Sequence, residues 1–304
     1  MNDRAKFTVP LVLFAVTIWC TVNNWYDDAF ISFFFMFAFI ILLVFKKNNS
    51  DEEDGNAFNI NVSKTPYRVY YGDELNFSNE TIVQVLHTHF PYFISLNPPQ
   101  KNRFLQRINE FIKAKTFKIH DNRGFKEMPI LISATAIQLS FGLENYLLPQ
   151  FEFIHIYPEE FIKSGAAVRF LEGNVSDQSI NISWKHFLEG FQYPNDGQNV
   201  GLHEMAHAYY YQNFITKQQI DDGFVSTFPR FNDTANKVFE LEKVPGNDLY
   251  SDYALRNFQE FWAESIEIFF EKPADMNKAY PALYSELCSL LNQDPENNIP
   301  LMHR

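Results

Sequence analysis

Three hundred and four residues allow one large domain, or one domain with appendages. A formal charge of −12 argues against a nucleic-acid partner, which would want a basic face. Two cysteines, Cys20 and Cys288, exclude a disulfide framework and make a thiolate metal site untenable, so any metal must be held by histidine and carboxylate. With 33 Phe and 15 Tyr, the core is expected to be unusually aromatic.

The chain opens Met-Asn-Asp-Arg4-Ala-Lys6 and enters an apolar run from Phe7 to Val22. A polar turn, Asn23 to Asp28, leads to a second run from Ala29 to Phe45, closed by Lys46 and Lys47. Each run is short for a membrane span of about 20 residues, and Trp25 and Tyr26 at the interface make up the length. The four basic residues flank the pair, while the turn carries only Asp27 and Asp28. The positive-inside rule then puts both ends on the cytoplasmic side. Residues 1–47 thus read as a two-helix transmembrane hairpin in the inner (cytoplasmic) membrane, with the following domain facing the cytoplasm. The rival reading, a signal peptide cleaved near Val22, lacks a small-residue cleavage site and is followed at once by a second apolar run.

Residues 48–75 begin polar and acidic (Asp51-Glu-Glu-Asp54) and read as a linker, leaving 76–304 as the main domain. From Asn79, Ile82, Val85, Leu86 and Phe90 fall at helical spacing; His87 and His89 do not share a face and read as structural or solvated. After Asn97-Pro-Pro, Phe104, Leu105, Ile108, Phe111 and Ile112 predict a second amphipathic helix, and a short strand is expected at Phe117 to Ile119. Met128 to Phe141 is an apolar run that periodicity cannot assign, although its Ser, Ala, Thr and Gln content suits a packed helix. Phe151 to Tyr157 alternates as a strand, and Ser179 to Ser183 is a second candidate. A short helix from Trp184 to Phe191, capped by Ser183, and a turn at Asn195-Asp-Gly197 follow. Strands just before the next helix suit an edge along which an extended peptide can pair.

That next helix carries His203-Glu204-Met-Ala-His207. Histidines one turn apart reach one ion, and a carboxylate beside them can take a proton from water. This is the H-E-x-x-H arrangement of zinc hydrolases. Two histidines leave such a site one protein ligand short. Downstream, a helix entered through Asn257 places Glu260, Glu264, Glu267 and Glu271 on one stripe. Glu267 and Glu271 read as a solvated acidic face. For Glu260 and Glu264 that reading is weaker, because large aromatics flank both and an acidic stripe repels itself unless a cation relieves it.

The pair His203-Glu204-x-x-His207 and Glu260-Phe-Trp-Ala-Glu264-x-x-x-x-Phe-Phe270 resembles the Mlc titration factor A family of zinc peptidases. The same arrangement occurs in the catalytic domain of lethal factor. The likeness takes in Phe104, Leu105 and Phe111, the stretch from Phe153 through Tyr157 to Phe161, Ile182-Ser-Trp184 and Asp196-Gly197, so it spans roughly Phe90 to Pro273. The resemblance implies an α+β fold, a mainly helical zincin-like metallopeptidase domain with a small sheet. It makes His203, His207 and Glu260 the ligands of Zn2+, Glu204 the general base and then acid, and Tyr253 the oxyanion donor; plain packing of Tyr253 stays open. Glu264 is expected to orient a ligand histidine from behind. The expected partner is a peptide or protein substrate. The competing reading is a membrane-tethered regulatory module that captures a cytoplasmic protein on a peptidase fold. Endo- and aminopeptidase action remain open, with Glu264, Glu267, Asp252 and Asp248 all available for a free amine.

Overall fold

The structure, a computed structural model, describes residues 68–300 apart from 122–126, 164–168, 218, 247 and 298. The expected hairpin lies outside the described residues; among them, no helix is long and apolar enough to cross a membrane. The described part is α+β and mainly helical, with a small sheet.

The first strand, β1 (Arg68–Tyr71), falls inside the stretch read as linker. It pairs antiparallel with β2 (Thr116–Ile119), so the folded domain starts earlier than the polar composition suggested. Between them run α1 (Asn79–His89), α2 (Pro91–Ser95) and α3 (Pro98–Lys113), with His87 and His89 exposed. Helix α3 begins in a capping box, Asn97 with Gln100, which satisfies two backbone donors at its start. The ambiguous apolar run is α4 (Glu127–Ser140), buried on nearly every side; an all-round core helix shows no amphipathic period.

Strand β3 (Phe153–Tyr157) pairs parallel with β2 on one side and with β7 (Ser179–Ser183) on the other. A small hairpin, β4 (Phe161–Lys163) with β5 (Arg169–Leu171), leads to β6 (Gly173–Ser176), which returns antiparallel on β7. The sheet order is β1-β2-β3-β7-β6, so β1 and β6 are its two outer strands. Register aligns Phe117, Ile154 and Ile180 in one row and Ile119, Ile156, Ile182 and Gly173 in the next. The isoleucines and Phe117 are fully buried, so this face fills the core. The other face carries Lys118, His155 and Asn181 in register.

Helix α5 (Trp184–Gln192) starts at Ser183, but the Ser183 hydroxyl bonds Nδ1 of His186 at 2.9 Å and makes no backbone cap, because that imidazole competes for it. Then come α6 (Val200–Tyr210), which continues as a π-helical turn to Thr216, and α7 (Asp222–Glu242). Helices α8 (Phe258–Glu271), α9 (Pro273–Ala279) and α10 (Pro281–Leu291) complete the described helices. Helix α6 packs on α4, α8 and strands β6 and β7, so it sits at the centre of the domain. The aromatic core expected from composition surrounds Trp262, whose ring meets Phe224, Phe228 and Phe231 at 5.3–5.9 Å between centroids.

Candidate metal centre

The centre is built where α6 crosses α8. Asn199 caps α6 by accepting the Leu202 N–H at 3.0 Å, which starts the helix at Val200, three residues before His203. Asn257 caps α8 in the same way, accepting from the Gln259 and Glu260 amides, and so places Glu260 in the first turn. Trp262 Nε1 donates to the Ala206 carbonyl at 2.9 Å and fixes the crossing. One helix then presents two imidazoles and the other a carboxylate at the same depth.

His203 Nε2 lies 3.1 Å from His207 Nε2 and 3.1 Å from Glu260 Oε2; His207 Nε2 lies 3.3 Å from the same oxygen. The side chains are 15%, 21% and 18% exposed, so the triangle is part-buried yet reached by solvent. Among the described residues this is the one group of three His, Cys, Asp or Glu side chains able to hold a metal ion.

The donor chemistry fits a cation. His203 Nδ1 is 2.7 Å from Glu267 Oε1, and the ring N–H that this contact needs leaves the Nε2 lone pair directed at His207 and Glu260. A lone pair facing a carboxylate oxygen at 3.1 Å is repulsive unless a positive charge, a proton on Nε2 or a metal ion, lies between them. A tetrahedral ion with bonds of 2.0–2.1 Å holds its ligand atoms roughly 3.3 Å apart, close to the spacing seen. Burial disfavours charge on His203, but Glu267 and Glu260 outweigh it and draw positive charge to the ring. Burial likewise opposes the Glu260 carboxylate, and the two imidazoles outweigh it and hold Glu260 ionised far below the usual range.

Glu204 lies beside this triangle, 5% exposed, and burial raises its pKa above the usual carboxylate value. Its Oε2 is buried with no hydrogen-bond partner among the described residues. A carboxylate oxygen left so is costly unless a ligand or water meets it during function. Its other oxygen lies against Gly173 of β6: a Cβ built there would come within 2.4 Å of Glu204 Oε1. This outer strand therefore passes next to the carboxylate, and only glycine lets it come so close. Gly173 was not singled out from sequence, where nothing distinguishes it from other loop-flanking glycines.

Tyr253 is 45% exposed, with its ring centroid 6.3 Å from that of His203. Partial burial raises its phenol pKa, as do the charges of Glu260 and Glu204. It therefore faces the cluster as a neutral hydroxyl donor.

Two expectations about the acidic stripe are corrected. Glu264 does not orient a ligand histidine; its carboxylate accepts the backbone N–H and hydroxyl of Ser251. Glu267 takes that place instead. Nor are Glu267 and Glu271 a solvated face: they are 6% and 8% exposed. Glu267 also accepts the Asn199 backbone N–H, and Glu271 accepts from Asn199 Nδ2 at 2.9 Å and from the Gly197 N–H at 3.0 Å. The stripe is covered because the chain entering α6 lies along it. The sequence signal for this was Asn195-Asp-Gly197-Gln-Asn199 itself, a turn whose free amides need acceptors.

A family model described as glucose-regulated metallo-peptidase M90 matches residues 73–291. A relative, the uncharacterized protein slr2042 of Synechocystis sp., is 24% identical over 229 residues, which cover 67% of this chain and 80% of the relative.

Proposed function

The chain belongs to the glucose-regulated metallo-peptidase M90 family, and from that premise we propose that it is a zinc-dependent peptidase using Glu204 as general base. The observation that carries the reading is the convergence of His203 Nε2, His207 Nε2 and Glu260 Oε2 beside a buried, unpartnered Glu204 oxygen. His203, His207 and Glu260 would hold Zn2+, with Glu267 fixing the His203 tautomer. Zinc bound there lowers the pKa of water and polarises a carbonyl.

The chain's own groups do the rest. A peptide laid antiparallel on the outer edge of β6 brings a carbonyl past Gly173 and next to Glu204. Glu204, buried and raised, accepts a proton from the attacking water and returns it to the leaving amine. The Tyr253 hydroxyl donates to the oxygen on which negative charge develops. Peptide bonds are the substrate class that the edge strand suits. The flanking Arg4, Lys6, Lys46 and Lys47 support an anchored location, with the domain on the cytoplasmic side of the inner membrane.

The test is Glu204→Gln. We expect one zinc per chain to be retained by metal analysis, while cleavage of short chromogenic peptides falls by about 10²–10⁴. Wild-type turnover in that variant would remove Glu204 from its role. Zinc-loaded wild-type protein that cleaves no peptide while capturing a cytoplasmic protein would favour the regulatory-module reading instead.

A further inference from the structure

Glu264 lies one turn beyond Glu260 on α8, yet it serves a different part of the centre. One of its oxygens accepts the Ser251 N–H at 2.6 Å and the other the Ser251 hydroxyl at 2.5 Å. A carboxylate gripping two donors of one residue is a charge-assisted, two-point attachment. Ser251 Oγ in turn accepts the Ala254 N–H at 3.3 Å, at the start of the 3-10 turn Ala254–Arg256. That turn follows Tyr253 directly: the Arg256 N–H bonds the Tyr253 carbonyl at 3.2 Å, and the Arg256 guanidinium stands 4.7 Å over the Tyr253 ring. Just upstream, Tyr250 stacks on Phe261 at 4.3 Å, and its hydroxyl meets Ser265 Oγ at 2.9 Å. The turn bearing Tyr253 is thus laced to α8, the helix that also carries Glu260. Tyr253 itself, nearly half exposed, gains little fixation from core packing.

We propose that Glu264 is a positioning residue that clasps Ser251 and so holds the Tyr253 hydroxyl at the metal-facing cluster. The role rests on the reading of Tyr253 as oxyanion donor. Gln at position 264 would set an amide nitrogen against one of the two Ser251 donors and break one attachment. Ser251→Ala removes the other from the opposite side.

The test uses the full chain and two readouts. In metal-free protein, amide hydrogen exchange of residues 249–257 should quicken at least tenfold in Glu264→Gln, with α6 unaffected. In zinc-loaded protein, leucine hydroxamate is the probe, because on the reading of Tyr253 as oxyanion donor a hydroxamate oxygen held by zinc would accept from that hydroxyl. Tyr253→Phe and Glu264→Gln should each weaken it about tenfold, and the double variant no more than Tyr253→Phe alone. Unchanged exchange in 249–257 would overturn the clasp. So would an equal loss from Glu264→Gln in both the wild-type and Tyr253→Phe backgrounds, the result of a merely structural role. Should Tyr253→Phe bind hydroxamate like wild type, the oxyanion reading fails by itself, and the exchange arm still decides whether Glu264 holds the turn. If Glu264→Gln does not fold, Ser251→Ala runs through the same cycle.

Discussion

Two histidine pairs stand in this domain, and they do opposite things. His203 and His207 meet at 3.1 Å on one helix; His120, just after β2, and His155, within the neighbouring β3, meet at 2.9 Å, Nε2 to Nδ1. The second pair stacks with Tyr157, ring on ring, at 4.2 Å from His120. Burial, with Lys118 nearby, pushes His120 down to about 4 and His155 to about 3, so both rings are neutral near pH 7. At the first pair burial acts in the same direction, but Glu260 and Glu267 overrule it. Two close imidazoles are therefore not a metal site in themselves. The carboxylates around them decide whether the pair is a packing unit or a seat for a cation.

Removing the deciding carboxylate should give the largest effect. Glu260→Ala should lose zinc on dialysis and lose peptide cleavage with it, leaving the fold intact by circular dichroism; full zinc retention would show that Glu260 is no ligand. Glu267→Gln should be milder, weakening zinc affinity about 10- to 100-fold in competition with a chelator, because the His203 ring loses its charged anchor. The other pair provides the control. His155→Ala should leave zinc affinity untouched but cost about 1–3 kcal/mol in denaturant melts, since the ring facing it is buried. A change in zinc content there would erase the distinction between the pairs.

The last effect concerns pH. Burial pushes Glu271 up to about 7, against the hydrogen bonds from Asn199 and Gly197. Its folded pKa lies above the unfolded value near 4.5, so its contribution to stability is full below that value and lost as pH rises through about 7. Over that window Glu271 should cost at most about 3–4 kcal/mol. Urea melts of Glu271→Gln should show a flatter pH dependence between 4.5 and 7 than wild type, and identical slopes would place the titration elsewhere.

Much of the centre was legible because its spacing is local. His203, Glu204 and His207 declare themselves within one helical turn, whereas Glu260 was singled out as a third ligand only by the family resemblance. The four glutamates of α8 were another matter. They occupy one stripe at helical spacing, and the sequence offers the same residue four times. Glu260 meets the imidazoles, Glu264 meets Ser251, and Glu267 and Glu271 meet the chain entering α6. Which is which depends on where α6 crosses α8, a crossing fixed by Trp262 on the Ala206 carbonyl. Strand β1 was hidden for a related reason: four residues gain strand character only from the β2 partner beside them.

What the sequence determined alone was the chemistry on offer: two imidazoles one turn apart, a carboxylate beside the first, and glutamates downstream. Periodicity and capping are short-range, so they could be read along the chain. Only the tertiary structure assigned each carboxylate its work, because a carboxylate's charge state and partner are set by what lies across from it, 13 residues away for Glu264 and more than fifty for Glu260, Glu267 and Glu271.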